Sequence, residues 1–126
     1  MISLPLAVWY YASKHTLEAF SDTLRQEVGR FGINVVVIEP VIIKTDFEKE
    51  TAKKLREVSG HGPYQNIAEA LAKQTENMFI SGIKRSDPIV VAKAILDIVE
   101  SPAPKTRDSI GYMAKLVLAF IHWQPL

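Results

Sequence analysis

The sequence contains no cysteine among its 126 residues. Disulfide bonds, thiol catalysis and cysteine-based metal sites are therefore excluded. Neither sign of charge is in excess, because 15 Lys and Arg residues oppose 14 Asp and Glu residues for a formal net charge of +1. This balance gives no electrostatic reason to expect nucleic acid or an anionic membrane as a partner. The 3 histidines lack the spacing of metal ligands, so we expect no metal site.

Long hydrophobic runs are scarce as well. The N-terminal stretch MISLPLAVWYY has no basic start and carries a proline, which is not typical of a secretory signal. The apolar run over residues 111–123 contains Lys115 and is shorter than the roughly 20 residues of a membrane-spanning helix. We therefore expect no clear membrane span and a cytoplasmic location, although a lack of cysteine is compatible with any compartment.

Hydrophobic spacing predicts a helix-rich chain. Apolar residues three and four positions apart predict one long helix over residues 10–31, and Gly32 suits the left-handed conformation that ends a helix. Shorter helices are predicted over residues 48–58 and 64–79. The sequence SDP then predicts the start of a fourth helix, over residues 88–100.

Strands are few in comparison. The nearly unbroken β-branched run Ile33–Ile38 predicts a strand buried on both faces, as in a parallel sheet, with Pro40 stopping it. Residues 106–112 predict a weak edge strand. One helix followed by a buried strand is a step of an α/β fold, but a parallel sheet needs several strands. Either a partner supplies the others or the chain is part of a larger domain.

Tyr10 and Lys14 form a candidate catalytic pair near the start of the long predicted helix. Four residues turn a helix by about 400°, so both side chains lie on nearly the same face. A nearby ammonium group favours the phenolate form of a tyrosine, which suits general acid–base catalysis. The same spacing also occurs on ordinary helix surfaces, where an aromatic ring packs against a lysine stem. The surrounding sequence must decide between the two interpretations.

Those surroundings resemble the second half of the short-chain dehydrogenase/reductase family. The segments YYASK, HTLEAFSDTLRQEV, FGINVVVIEP and VIIKTDF follow one another in that family's order and spacing from Trp9 to Phe47. The resemblance implies an α/β fold that is the C-terminal part of a Rossmann-like, doubly wound parallel sheet, with residues 1–126 as a single incomplete domain. The family's Gly-rich phosphate-binding turn has no counterpart in the sequence. We therefore expect a truncated chain that is inactive alone.

The resemblance also implies a reaction and its residues. Hydride would pass between NADP or NAD, with NADP placed first, and the carbonyl or alcohol carbon of a small molecule. Tyr10 would be the proton donor or acceptor, and Lys14 would favour its phenolate and bind the nicotinamide ribose. A loop over residues 40–45 would contact the nicotinamide end of the cofactor through Pro40, Val41, Ile43 and Thr45.

Individual roles in this loop follow from the same resemblance. Ile43 would offer backbone groups to the carboxamide, and Thr45 would offer a hydroxyl to the carboxamide or a phosphate. Val41 stands where the family usually has glycine, a residue that tolerates positive φ and close approaches. The valine therefore either weakens cofactor binding or is a harmless variant. Residues 47–80 would form a mobile lid over the substrate.

The predicted helix over residues 10–31 carries a further implication. In dimers of this family the corresponding helix pairs with its counterpart, so a homo-oligomer is implied. The alternative to an enzyme is a non-catalytic module that keeps this dimerisation surface and joins full-length partners.

Overall fold

The computed structural model describes residues 5–82 and 84–114, which form four α-helices and two β-strands. The elements in chain order are helix α1 (Val8–Val28), strand β1 (Val37–Pro40), helix α2 (Phe47–Ser59), helix α3 (Gln65–Ile80), helix α4 (Ile89–Glu100) and strand β2 (Arg107–Ile110). A short 3-10 turn, Gly29–Phe31, extends α1. All four predicted helices are present.

The two strands lie side by side and run parallel, with Val37 opposite Arg107 and Pro40 opposite Ile110. The chain passes through three helices between them. Parallel strands require such a long crossover, which is the connection that defines α/β folds. The predicted fold class is confirmed as a helix-rich, partial Rossmann-like α/β arrangement.

The first strand differs from its prediction. β1 is Val37–Pro40 instead of residues 33–38, so Pro40 is its last residue and not the residue that stops it. The reason is the partner: the Val37 N–H donates to the Thr106 carbonyl, immediately before β2 begins, while the Val35 carbonyl accepts from Arg25 Nε at 2.8 Å. The prediction of burial on both faces is also wrong, because residues 37–39 are half-buried and Pro40 is exposed.

Local capping signals agree with the structure. Gly32 has φ 74°, and its N–H donates to the Gly29 carbonyl at 3.0 Å, as expected for a left-handed cap. At the start of α4, the Asp87 carboxylate accepts from the Ile89 N–H at 2.9 Å. Pro88, which has no N–H to leave unpaired, occupies the position between them.

Small side chains dominate what is buried in the described part of the chain: Ala52, Ala68, Ala72, Ile110 and Ala114. The first three lie where α2 packs on α3. Arg56 of α2 bridges the same two helices, with hydrogen bonds of 2.8 Å to Glu69 and 2.9 Å to Glu76. These bonds from Arg56 hold the pKa of each carboxyl below its ordinary value.

Helix α1 is attached differently. It buries no residue, and Phe20 on it is 62% exposed. Polar contacts connect it to β2 and to the segment before β1: Arg107 of β2 donates to Glu18 and Asp22 on α1, and Arg25 donates to the Val35 carbonyl. Charged hydrogen bonds therefore help to hold the helix that carries the predicted catalytic pair.

Candidate functional site

Tyr10 and Lys14 lie together on the first turns of α1. The Lys14 Nζ is 5.5 Å from the centre of the Tyr10 ring, so the two side chains share a face of the helix. Tyr10 is 45% exposed, which leaves its phenol accessible from solvent. The Ser13 hydroxyl donates to the Tyr10 carbonyl at 2.7 Å and is thereby turned towards the helix backbone. The pair has the geometry that its spacing predicts.

The ring of Tyr10 also contacts Phe47, with 6.0 Å between the ring centres. Phe47 is the first residue of α2 and lies two residues after the loop over residues 40–45. This contact places the N-terminal end of α1 beside the start of α2, which follows the loop at the carboxyl end of β1. In open α/β sheets, ligands bind in the crevice outside the carboxyl ends of the strands.

The loop over residues 40–45 is held by a second segment that sequence analysis does not identify. The Ser86 N–H donates to the Ile42 carbonyl at 3.0 Å, and the Lys44 N–H donates to the Ser86 carbonyl at 2.9 Å. These bonds form an isolated parallel bridge between Ile43 and Ser86. In such a bridge the N–H and C=O of the central residue face the other way. Over residues 5–82 and 84–114, neither group of Ile43 has a hydrogen-bond partner.

Val41 stands where the family usually has glycine, but its backbone does not adopt a strained conformation. Its φ is not positive; the left-handed residue of the loop is Ile42, at φ 53°. The Val41 N–H donates to the Ile110 carbonyl at 2.8 Å, which continues the pairing of the two strands. The close backbone approach is made by Gly111 (φ 122°), where an added Cβ would overlap the Val41 carbonyl oxygen. The backbone conformation thus calls for glycine at residue 111, whereas the φ of Val41 does not.

The two ends of this loop are exposed. Pro40 ends β1 on the solvent side. Thr45 is also exposed, and its Oγ1 accepts from the Phe47 N–H at 3.3 Å. The hydroxyl proton of Thr45 is therefore available to a ligand. The contact of Tyr10 with Phe47 brings Tyr10 and Lys14 near the carboxyl-terminal end of this loop.

Sequence analysis misses Ser86 and Gly111 at this site. The sequence offers one signal for Gly111: it directly follows the last residue of a strand, where glycine often marks a close backbone approach. Ser86 has no comparable signal. An open groove along α3 and Ser81 is lined by none of the site residues.

Among the described residues, no three His, Asp or Glu side chains are grouped so that they could hold a metal ion. No helix in the described ranges has the length and apolarity needed to cross a membrane.

Residues 1–56 match the family model of short chain dehydrogenases. The chain is 32% identical over 125 residues to 17-beta-hydroxysteroid dehydrogenase type 6 of Mus musculus, an alignment that covers 93% of this chain and 39% of that protein. The chain resembles the short-chain dehydrogenase/reductase family over most of its length. It is also 33% identical over 118 residues to the probable short-chain type dehydrogenase/reductase VdlC of Helicobacter pylori, covering 92% of the chain and 41% of that protein.

A third relative of the chain is retinol dehydrogenase 7 of Mus musculus, at 29% identity over 129 residues, with 92% of the chain and 39% of that protein covered. The chain therefore spans about two fifths of the length of these relatives. No solved structure matches it.

Proposed function

We propose that the chain is part of an oxidoreductase that moves hydride between NADP(H) or NAD(H) and the carbonyl or alcohol carbon of a small molecule. The observation that carries this proposal is the position of the Lys14 Nζ, 5.5 Å from the centre of an accessible Tyr10 ring that contacts Phe47 at the start of α2. The family resemblance supports the oxidoreductase class, and the geometry of this pair supports the residue roles.

A bound nicotinamide would supply the hydride for reduction, or accept it in oxidation. In the direction of reduction, the Tyr10 hydroxyl donates its proton to the carbonyl oxygen while the carbonyl carbon gains the hydride. The Lys14 ammonium then stabilises the phenolate that remains. In the reverse direction the phenolate takes the proton of the alcohol. Solvent exposure at Tyr10 provides the route by which the phenol regains a proton between turnovers.

The loop over residues 40–45 fits the cofactor expected from the resemblance. A carboxamide presents one acceptor oxygen and an NH₂ donor, and Ile43 offers an N–H and a C=O side by side with no partner in the described structure. The free hydroxyl proton of Thr45 suits either the carboxamide or a phosphate oxygen. We place NADP before NAD, and assign Pro40 and Val41 to the backbone that shapes this loop.

The helices α2 and α3 are proposed as the substrate lid, which corresponds to residues 47–80. They bury alanines against one another, and exposed apolar side chains such as Phe47, Tyr64 and Met78 remain at the surface. Relatives are named for hydroxysteroids and retinol. We therefore propose an apolar alcohol or carbonyl compound as substrate, with residues 1–126 as a single incomplete domain that does not turn over alone.

The test compares the 126-residue chain with a version extended by the in-frame coding sequence upstream of Met1. Each is assayed with NADPH and NADH against a panel of steroid, retinoid and small aliphatic carbonyl compounds. We expect turnover by the extended protein and none by residues 1–126. An inactive extended protein, or a Tyr10→Phe variant that retains the full rate, would contradict the proposal.

A non-catalytic dimerisation module is the second candidate, and the surface of α1 favours it. Leu17 and Phe20 on α1 are 54% and 62% exposed, which is unusual for large apolar residues one turn apart. A second copy of α1 would cover them. Light scattering and an NADP(H) binding assay discriminate the two candidates: a folded homodimer that ignores NADP(H) would favour the module over the enzyme.

A further inference from the structure

Lys14 has two neighbours on its helix at a spacing of four residues. Tyr10 lies one turn before it and Glu18 one turn after it, and side chains four residues apart can touch. The ammonium group can therefore lie over the phenol ring or pair with the Glu18 carboxylate. In the structure it lies near the ring, 5.5 Å from its centre. Across the described ranges Lys14 forms no ion pair.

The Glu18 carboxylate is engaged elsewhere. It accepts a hydrogen bond from the guanidinium of Arg107, the first residue of β2. Arg107 also donates to both oxygens of Asp22, at 2.8 and 3.0 Å, and its guanidinium lies 3.8 Å from the Glu39 carboxylate. The hydrogen bond that Arg107 donates to the Glu18 carboxylate is the main cause that raises the pKa of Arg107 above its ordinary value. Arg107 therefore stays charged wherever the protein is folded.

We propose that Arg107 is a positioning residue for the proposed catalytic pair: by holding Glu18 against β2, it keeps that carboxylate from Lys14 and leaves the ammonium group to Tyr10. This inference rests on the proposed function of Tyr10 and Lys14 and adds a residue to it. Arg107 touches neither of them. It acts only by removing the competitor for the Lys14 charge.

A role of Arg107 in holding α1 in place can be distinguished from its proposed effect on Lys14. Arg25 independently ties α1 to the sheet, through a 2.8 Å bond to the Val35 carbonyl and a 3.3 Å bond to the Thr106 carbonyl. Replacement of Arg107 therefore leaves α1 an anchor at the same end of the strands. The replacement releases the Glu18 carboxylate, which lies one turn from Lys14.

The experiment measures the ring-current shift that the Tyr10 ring imposes on the ε-methylene protons of Lys14 in the complete chain. A Tyr10→Ala variant, which lacks the ring, gives the chemical shift of these protons without the ring current. In Arg107→Gln, we expect the shift to fall to about half, because a helical i,i+4 ion pair corresponds to an equilibrium factor of about two. In Arg107→Gln with Glu18→Gln, no carboxylate is left to compete, so the shift should return.

Two further variants serve as controls for this experiment. Arg107→Lys retains one cationic donor for Glu18, so the Lys14 shift should stay close to the native value. Arg56→Gln removes an arginine that also bridges two carboxylates, but between α2 and α3, and it should leave the Lys14 shift unchanged. In any form that turns over, kcat should fall about twofold in Arg107→Gln and recover in the double variant.

The inference is overturned if Arg107→Gln leaves the Lys14 shift at its native value, or if the double variant remains as altered as the single one. These outcomes are distinct from failure of the proposed function. The ring-current shift needs no turnover, whereas the proposed function fails through an unaffected rate in Tyr10→Phe.

Discussion

Replacement of Gly111 by alanine should displace the loop over residues 40–45 from β2. Gly111 follows β2 with φ 122°, a backbone conformation that disfavours any residue with a side chain. Its added Cβ would overlap the Val41 carbonyl oxygen and lie 3.1 Å from the Ile43 Cδ1. Backbone atoms cannot turn away as a flexible side chain can. Val41 must therefore move, and with it the 2.8 Å bond from its N–H to Ile110.

The expected cost is the sum of two effects. Forcing an alanine into a sparsely populated backbone region costs about 1–3 kcal/mol. Overpacking in a tight space costs about 1–3 kcal/mol as well. Since the movement of Val41 relieves part of the overlap, we expect Gly111→Ala to lower the free energy of unfolding by about 3 kcal/mol.

Urea denaturation followed by circular dichroism measures this change. Gly29→Ala is the matched control, because Gly29 has helical angles (φ −56°) and no atom lies within 4 Å of its added Cβ. Alanine there should be neutral or raise the free energy of unfolding by up to about 1 kcal/mol. Equal stability of Gly111→Ala and the native chain would refute the close contact between residues 111 and 41.

Two other expectations concern the helices. Arg56 lowers the carboxyl pKa of Glu69 and Glu76 from their usual 4.5. Above that pH, the ion pairs of these carboxylates with Arg56 therefore stabilise the α2–α3 contact. This stabilisation disappears as the pH falls through the lower pKa values of the folded state. The urea midpoint should accordingly fall more steeply in the native chain than in Arg56→Gln under acid conditions; parallel curves would contradict it. Asp87→Ala removes the 2.9 Å cap on the Ile89 N–H and should cost about 1 kcal/mol in the same assay, whereas Asp97→Ala, on α4 without a cap contact, should cost less.

The helices could be predicted because their signals are local. Apolar spacing, Gly32 as a cap and the SDP sequence each act within a few residues, and the structure has helices where they indicate. The bounds of β1 could not be predicted in this way. A strand exists only where a partner bonds it, and β2 meets β1 at Val37 rather than at Ile33.

The same distinction between local and long-range signals applies to the candidate site. Tyr10 and Lys14 are four residues apart, so helix geometry alone predicts that they share a face. The bridge between Ile43 and Ser86, the fit of Gly111 against Val41 and the bond of Arg107 to Glu18 join residues far apart in the sequence. No local pattern marks such pairs, because their contacts depend on how the crossover returns to the sheet.

The rate of hydride transfer in a single turnover of the extended protein, compared between Tyr10→Phe and Tyr11→Phe, tests the central claim most directly. The two variants remove the same hydroxyl from adjacent residues, whose rings lie 5.4 Å apart. If Tyr10 is the acid and base, its variant should lose at least about 100-fold of the rate, because positioned proton transfer contributes factors of that size, while Tyr11→Phe changes little. Equal rates in the two variants would contradict the proposed role of Tyr10.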